Sequence, residues 1–205
     1  MTLYSYIVAR DYGFAPNPFY GVCTLATCKP NIRKCAQVDD WVIGTGSKRL
    51  GLDGRLVYAM KVAEVLTYDQ YWNDPRFAQK RPNLRGSLKQ AYGDNIYHRD
   101  PKTGEWMQAN SHHSRADGSP NQVNICHDTQ SENVLVGTEF AYWGEDAIRV
   151  PGRFRREGAD VCCKVQGHKC VFPEALLSGF ITWIQSLNAH GYLGRPAMFG
   201  GKARS

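Results

Sequence analysis

Residues 55–66 carry the pattern that most narrows what this chain can fold into. Leu56, Tyr58, Met60, Val62 and Glu64 alternate with Val57, Ala59, Lys61 and Ala63, the period-two signature of a β-strand. Other short apolar segments repeat that signal: Leu3 to Ala9, Gly21 to Thr27, Trp41 to Gly44, Val123 to Cys126, Asn133 to Val136 and Phe140 to Trp143 all read as strands. Helical signals are fewer. Pro30 opens a short helix reaching Ala36, and Thr67-Tyr68-Asp69-Gln70 has the form of a capping box for a helix ended by Pro75. A further short helix is expected near Ser87 to Tyr92. Pro173 opens a longer helix, with Leu176, Leu177, Phe180, Ile181, Ile184 and Leu187 on one face and Gly191 as its stop. Strands in succession, short helices between the early ones and one longer helix at the end argue for an α+β, mainly-β fold. The expected form is a partly open barrel with short flanking helices and a C-terminal helix, rather than alternating βαβ units. Residues 1–150 are expected to form one domain, with 151–205 a basic connection plus a C-terminal helix packed on it and a loose tail to Ser205.

A chain of 205 residues with 42% hydrophobic residues can build its own core, which excludes a disordered class. No apolar stretch approaches a membrane span, and the N-terminus has no basic, apolar and cleavage-site succession, so a cytoplasmic location is expected. Seven cysteines, an odd number, fit free thiols in a reducing compartment better than a disulfide framework. The net charge of +6 favours an anionic partner but falls short of a dedicated duplex binder. Arg149, Arg153, Arg155, Arg156, Lys164 and Lys169 stand against only Glu157 and Asp160 in their stretch, which reads as a solvated face or as a contact for DNA or RNA.

Several stretches are long and unusual: Tyr4 to Phe19, Thr24 to Pro30, Asp40 to Ser47, Tyr71 to Phe77, Tyr92 to His98 and Ser111 to Ser114. They resemble the second class of the nucleotide modification associated domains. The resemblance covers roughly the first two thirds of the chain and implies an association with nucleotide or DNA-base modification in bacterial or phage defence contexts; it supplies no reaction. A shorter likeness, the succession of acid, strand, turn and strand from Asp40 to Val62, is similar to the core of PUA-like barrels of the EVE, ASCH and YTH groups. That likeness implies a single base held in an aromatic pocket.

The residues offer matching chemistry. A base needs an aromatic face to stack on and polar groups for its edge. The loop from Arg10 to Phe19 has Tyr12, Phe14 and Phe19 to stack, Asn17 to read an edge, Arg10 for a phosphate, and Asp11 beside it; the same aromatics would equally plug the end of a barrel. The turn Thr45, Gly46 and Ser47 would cradle a phosphate or base edge, or simply join two strands. Trp72 and Tyr97 would complete an aromatic cage, Asn95 would bond a base, and His112 and His113 are candidate ligands or acid–base groups. In an extended segment only one of those two histidines would enter a pocket.

Cys28 is a candidate nucleophile with His112 or His113 as its base, or a small buried hydrophobe. Cys162, Cys163, His168 and Cys170 lack the paired knuckles of a zinc site, so neither a metal nor another cofactor is expected. The His-x-Glu and Cys-x-x-Cys pair of base deaminases is missing, which excludes that chemistry. The expected function is binding of a nucleotide or modified base, free or in DNA. The alternatives are an enzyme that transfers or hydrolyses a group on such a ligand, and a scavenger of a signalling nucleotide.

Overall fold

The computed structural model describes residues 1–156, 158–164 and 167–199. Fourteen strands occur among them: β1 Leu3–Val8, β2 Cys23–Leu25, β3 Trp41–Gly46, β4 Arg55–Lys61, β5 Glu64–Thr67, β6 Tyr97–Arg99, β7 Trp106–Gln108, β8 Asn133–Gly137, β9 Phe140–Tyr142, β10 Ile148–Arg149, β11 Arg155–Arg156, β12 Ala159–Asp160, β13 His168–Lys169 and β14 Gly191–Tyr192. The α-helices are α1 Pro30–Cys35, α2 Tyr68–Asn73, α3 Leu88–Ala91, α4 Gln122–Asp128 and α5 Glu174–Ser186. The fold is therefore mixed α and β with sheets predominating, and the described strands close no barrel.

The chain divides into two compact units. The first comprises residues 1–12, 37–63 and 137–205. Its sheet runs β13-β1-β3-β4-β9-β14, with β10 also on β4, and both edge strands are only two residues long. β3 and β4 form an antiparallel hairpin from Trp41 opposite Lys61. β1 and β3 instead pair in parallel, Leu3 opposite Trp41 through Val8 opposite Gly46, so residues 9–40 must supply a crossover. One face of the sheet carries Leu3, Trp41, Ile43, Leu56 and Ala141, and α5 covers it with Phe180, Ile181 and Ile184. Phe154 adds an edge-on contact to Phe180 at 5.3 Å. Each such apolar side chain taken out of water is worth about 1.5–3 kcal/mol.

The second unit comprises residues 13–36 and 64–136, with a three-stranded sheet β2-β8-β5 and the small β6-β7 hairpin. Three short helices there have side-chain caps. Thr67 and Ser87 form capping boxes with Gln70 and Gln90, and Asn121 Oδ1 accepts from the Val123 and Asn124 amides.

Three readings of the sequence are corrected. The single strand expected over residues 55–66 is two strands, because β4 pairs with β3 and β9 whereas β5 pairs with β8 in a separate sheet. Val123 to Cys126 is helix α4 rather than a strand: the Asn121 cap outweighs the β-branched Val123 and Ile125. Gly191 does not stop α5, which ends at Ser186 with Leu187 as its cap; Gly191 begins β14 at a φ of 78°. The end of the tail expected to be loose, 200–205, lies outside the described residues.

The glycines of β3 have a steric origin. A Cβ on Gly46 would run into the carbonyl oxygen and Cβ of Leu52, and one on Gly44 would run into the rings and methyls of Tyr58 and Val8. Gly46→Ala is expected to cost about 1–3 kcal/mol by overpacking, read as a drop in the urea midpoint. Gly152→Ala, whose new Cβ meets nothing within 4 Å, serves as the control and should leave the midpoint nearly unchanged.

Candidate thiol–imidazole site

In the second unit the chain brings together three groups that are far apart in sequence. Cys28 Sγ lies 3.8 Å from His113 Nε2, and His113 Nδ1 lies 2.8 Å from Asp128 Oδ2. Each comes from a different local structure. Cys28 follows β2 at the point where the chain turns into α1, with a φ of 56° followed by 44° at Lys29. Two successive left-handed residues without glycine are unfavourable, and such strain persists only where surrounding bonds hold it. His113 sits in a turn whose Ser111 hydroxyl accepts from its amide at 3.3 Å. Asp128 closes α4.

Asp128 is fully buried and accepts three hydrogen bonds. The Cys28 amide donates to Oδ1 at 2.8 Å; His113 Nδ1 and, at 3.0 Å, the Tyr97 hydroxyl meet Oδ2. The carboxylate thus orients the imidazole by its far nitrogen and leaves Nε2 facing the sulfur, the order of groups an activated nucleophile requires. Gln108 Nε2 donates to Tyr97 Oη at 3.1 Å and extends the chain of bonds. Burial opposes a charged imidazole, but the bonds to Asp128 and Cys28 outweigh it and raise His113 to about 9. At neutral pH the ring is then an imidazolium whose two nitrogens both donate.

Aromatic rings border the site. Phe14 lies 4.7 Å from the His113 ring and 5.3 Å from that of His112, and Tyr92 lies 5.1 Å from His112. Phe14 is buried, Tyr92 half-buried and His112 exposed. The three side chains Cys28, His113 and Asp128 do not converge on one point, since His113 presents opposite nitrogens to the other two. Among the described residues no group of His, Cys, Asp and Glu could hold a metal ion.

Of the residues the sequence singled out, the structure gathers Phe14, Tyr97, His112 and His113 around Cys28. Asn17 and Phe19 are buried in the same unit, where Asn17 donates to the Tyr92 carbonyl at 2.9 Å and accepts from the buried Lys80 at 2.7 Å. Asn95 is buried, with Nδ2 on the carbonyls of Tyr71 and Phe77. Trp72 stacks on His98 at 4.0 Å, and Arg81 lies over its ring at 4.2 Å.

Arg10, Asp11, Thr45, Gly46 and Ser47 belong to the first unit. There Arg10 is exposed, Asp11 accepts from the Tyr142 hydroxyl and the Ala197 amide, Thr45 donates to the Tyr6 carbonyl, and Ser47 is buried. Arg149, Arg153 and Arg156 are exposed; Arg155 is half-buried and sits 3.5 Å from Asp160. Cys162 and Cys163 are buried in this unit, and His168 and Cys170 are not.

A cysteine, a histidine and an aspartate in this order on a mixed α/β scaffold form the kind of site that thiol-dependent enzymes use. The chain belongs to the nucleotide modification associated domain 2 family, whose model matches residues 1–203, and that description ties it to nucleotide or DNA modification. No curated protein and no solved structure matches it. Among the described residues no helix is long and apolar enough to cross a membrane.

The raised pKa links His113 to stability. A histidine at about 9 when folded, against about 6.5 when unfolded, adds its full stabilisation below about pH 6.5 and loses it as the pH rises through about 9. The gap in melting temperature between the parent and His113→Gln should therefore be widest near about pH 6 and shrink steadily up to about pH 10. A gap that is constant with pH would contradict a charged His113 on Asp128.

Proposed function

We propose that this protein is a thiol-dependent enzyme acting on a nucleotide or on a base in DNA, with Cys28 as nucleophile, His113 as acid–base and Asp128 as orienting carboxylate. The observation that carries this reading is the succession Sγ to Nε2 at 3.8 Å and Nδ1 to Oδ2 at 2.8 Å. Apo sites of this kind are commonly looser than the reacting complex. In the reactive form the thiol proton already resides on His113, and the Cys28 sulfur bonds to an electrophilic carbon of the substrate. The bond from that carbon to the leaving group breaks, and His113 returns the proton to that group. Water or another acceptor then attacks the same carbon while His113 takes the acceptor's proton. The carbon–sulfur bond breaks, the sulfur leaves with the bonding pair, and His113 keeps the acceptor's proton, which restores the starting pair.

The substrate class rests on the family and on the rim. Aromatic rings border the imidazole, Phe14 at 4.7 Å from the His113 ring and Tyr92 at 5.1 Å from that of His112, which supports an aromatic ligand such as a base. The exposed Arg149, Arg153 and Arg156 support added contact with a DNA or RNA backbone. None of the seven cysteines forms a disulfide, which supports a reducing, cytoplasmic setting. The antiparallel β3–β4 hairpin behind Asp40 supports kinship with PUA-like barrels, though no barrel closes here.

The test is a library of free and DNA-borne nucleotides and modified bases, followed by mass spectrometry of both ligand and protein. The parent should convert at least one member. Cys28→Ala should lose turnover by about a thousandfold or more while retaining binding. Binding with no conversion by the parent, and equal behaviour of Cys28→Ala, would return the protein to a reader or scavenger.

A further inference from the structure

We propose that Arg33 is a positioning residue for this site: a buried cation that clips the nucleophile's loop to the loop behind the orienting carboxylate. The proposal rests on the reading of Cys28, His113 and Asp128 as one catalytic unit.

Arg33 lies on α1 and is fully buried. Its Nε donates to the Cys28 carbonyl at 2.8 Å and one terminal nitrogen to the Asp128 carbonyl at 2.5 Å. The other terminal nitrogen donates to the carbonyls of Ser131 at 2.8 Å and Asn133 at 2.7 Å. Four of the five N–H donors of the fork are used, and all four acceptors are main-chain carbonyls of two segments, one at Cys28 and the other running from Asp128 to Asn133. Asn133 Nδ2 returns a bond to the Arg33 carbonyl at 3.1 Å.

Among the described residues no ion pair involves Arg33. Burying a cation without a counter-ion is costly, and an apolar side chain at the same place would serve a core at least as well. What the guanidinium supplies is geometry. The Cys28 residue is gripped on both sides, its amide by the Asp128 carboxylate and its carbonyl by Arg33. Those two bonds hold the left-handed backbone at 56° and 44° that presents the sulfur to His113. Tyr68 repeats the clip, since its hydroxyl reaches the Ala26 carbonyl at 2.7 Å and that of Asp128 at 3.3 Å, and the Arg33 guanidinium lies 5.4 Å over its ring. Cys28 and Asp128 are thus held at a fixed separation by side chains that need not touch a substrate.

The experiment is the alkylation rate of Cys28 by iodoacetamide in the full chain, followed by peptide mapping from about pH 5 to about pH 10, with the exposed Cys35, Cys126 and Cys170 as internal controls. Arg33→Lys, which keeps the charge and loses the fork, should slow Cys28 by about tenfold or more at neutral pH and move its profile to higher pH, with the controls unchanged. Tyr68→Phe should slow it by a few-fold. A folded Arg33→Lys with the parent's rate and profile would overturn the proposal. Should that variant not fold, an unchanged rate in Tyr68→Phe does the same. His113→Gln separates this from the underlying reading. If it too leaves Cys28 unchanged, the catalytic unit itself is wrong; if it slows Cys28 while Arg33→Lys does not, only the clip is lost.

Discussion

The Asp128 carboxylate is the group around which the contacts of Cys28, His113 and Tyr97 are arranged. It is buried and accepts from the Cys28 amide, the His113 ring and the Tyr97 hydroxyl. A buried carboxylate is tolerated only when donors surround it, and these three arrive from segments that share no secondary structure. The same bonds that satisfy the carboxylate in the interior hold the Cys28 backbone, fix the orientation of the His113 ring and raise its proton affinity. In the proposed enzyme, stability and chemistry use one set of contacts.

A second buried network in the same unit shows what a purely structural polar cluster looks like. Asp94 accepts from Thr24 at 2.7 Å and Tyr71 at 2.8 Å, and Lys80 donates to the Asn17 and Val22 carbonyls at 3.0 and 3.1 Å. Burial brings Lys80 down to about 8. All four of these side chains around Asn17 are enclosed, and none carries a half-exposed nucleophile. The Cys28 site differs in that one: the sulfur's residue is half-buried, and the adjoining rim, Tyr92 and His112, reaches solvent.

Much of the secondary structure was legible because it is local. Alternation marks β4, Pro30 marks α1, and Thr67 and Ser87 mark their helices by caps that depend on neighbours three residues away. What escaped depends on distant partners. The parallel pairing of β1 with β3 leaves no trace in either segment, and the break after β4 is made by β5 pairing with β8 in a separate sheet. The site was half legible. Cys28 and His113 show their chemistry as residue types, but 85 residues separate them. Asp128 lay hidden at the end of a helix whose Val123 and Ile125 look like a strand. Asn121 was the signal that would have found that helix, because Asx side chains at such positions cap. Arg33 reads as one more basic residue on a short helix, and only its four carbonyl partners mark it out.

The most direct measurement of the central claim is the titration of the His113 ring by NMR in the parent and in Cys28→Ala. The account predicts a midpoint near about 9 in the parent, and a lower one, still above the ordinary value of about 6.5, once the sulfur is removed while Asp128 remains. A ring that titrates at its ordinary value in the parent and does not respond to loss of Cys28 would contradict a coupled thiol, imidazole and carboxylate at this site.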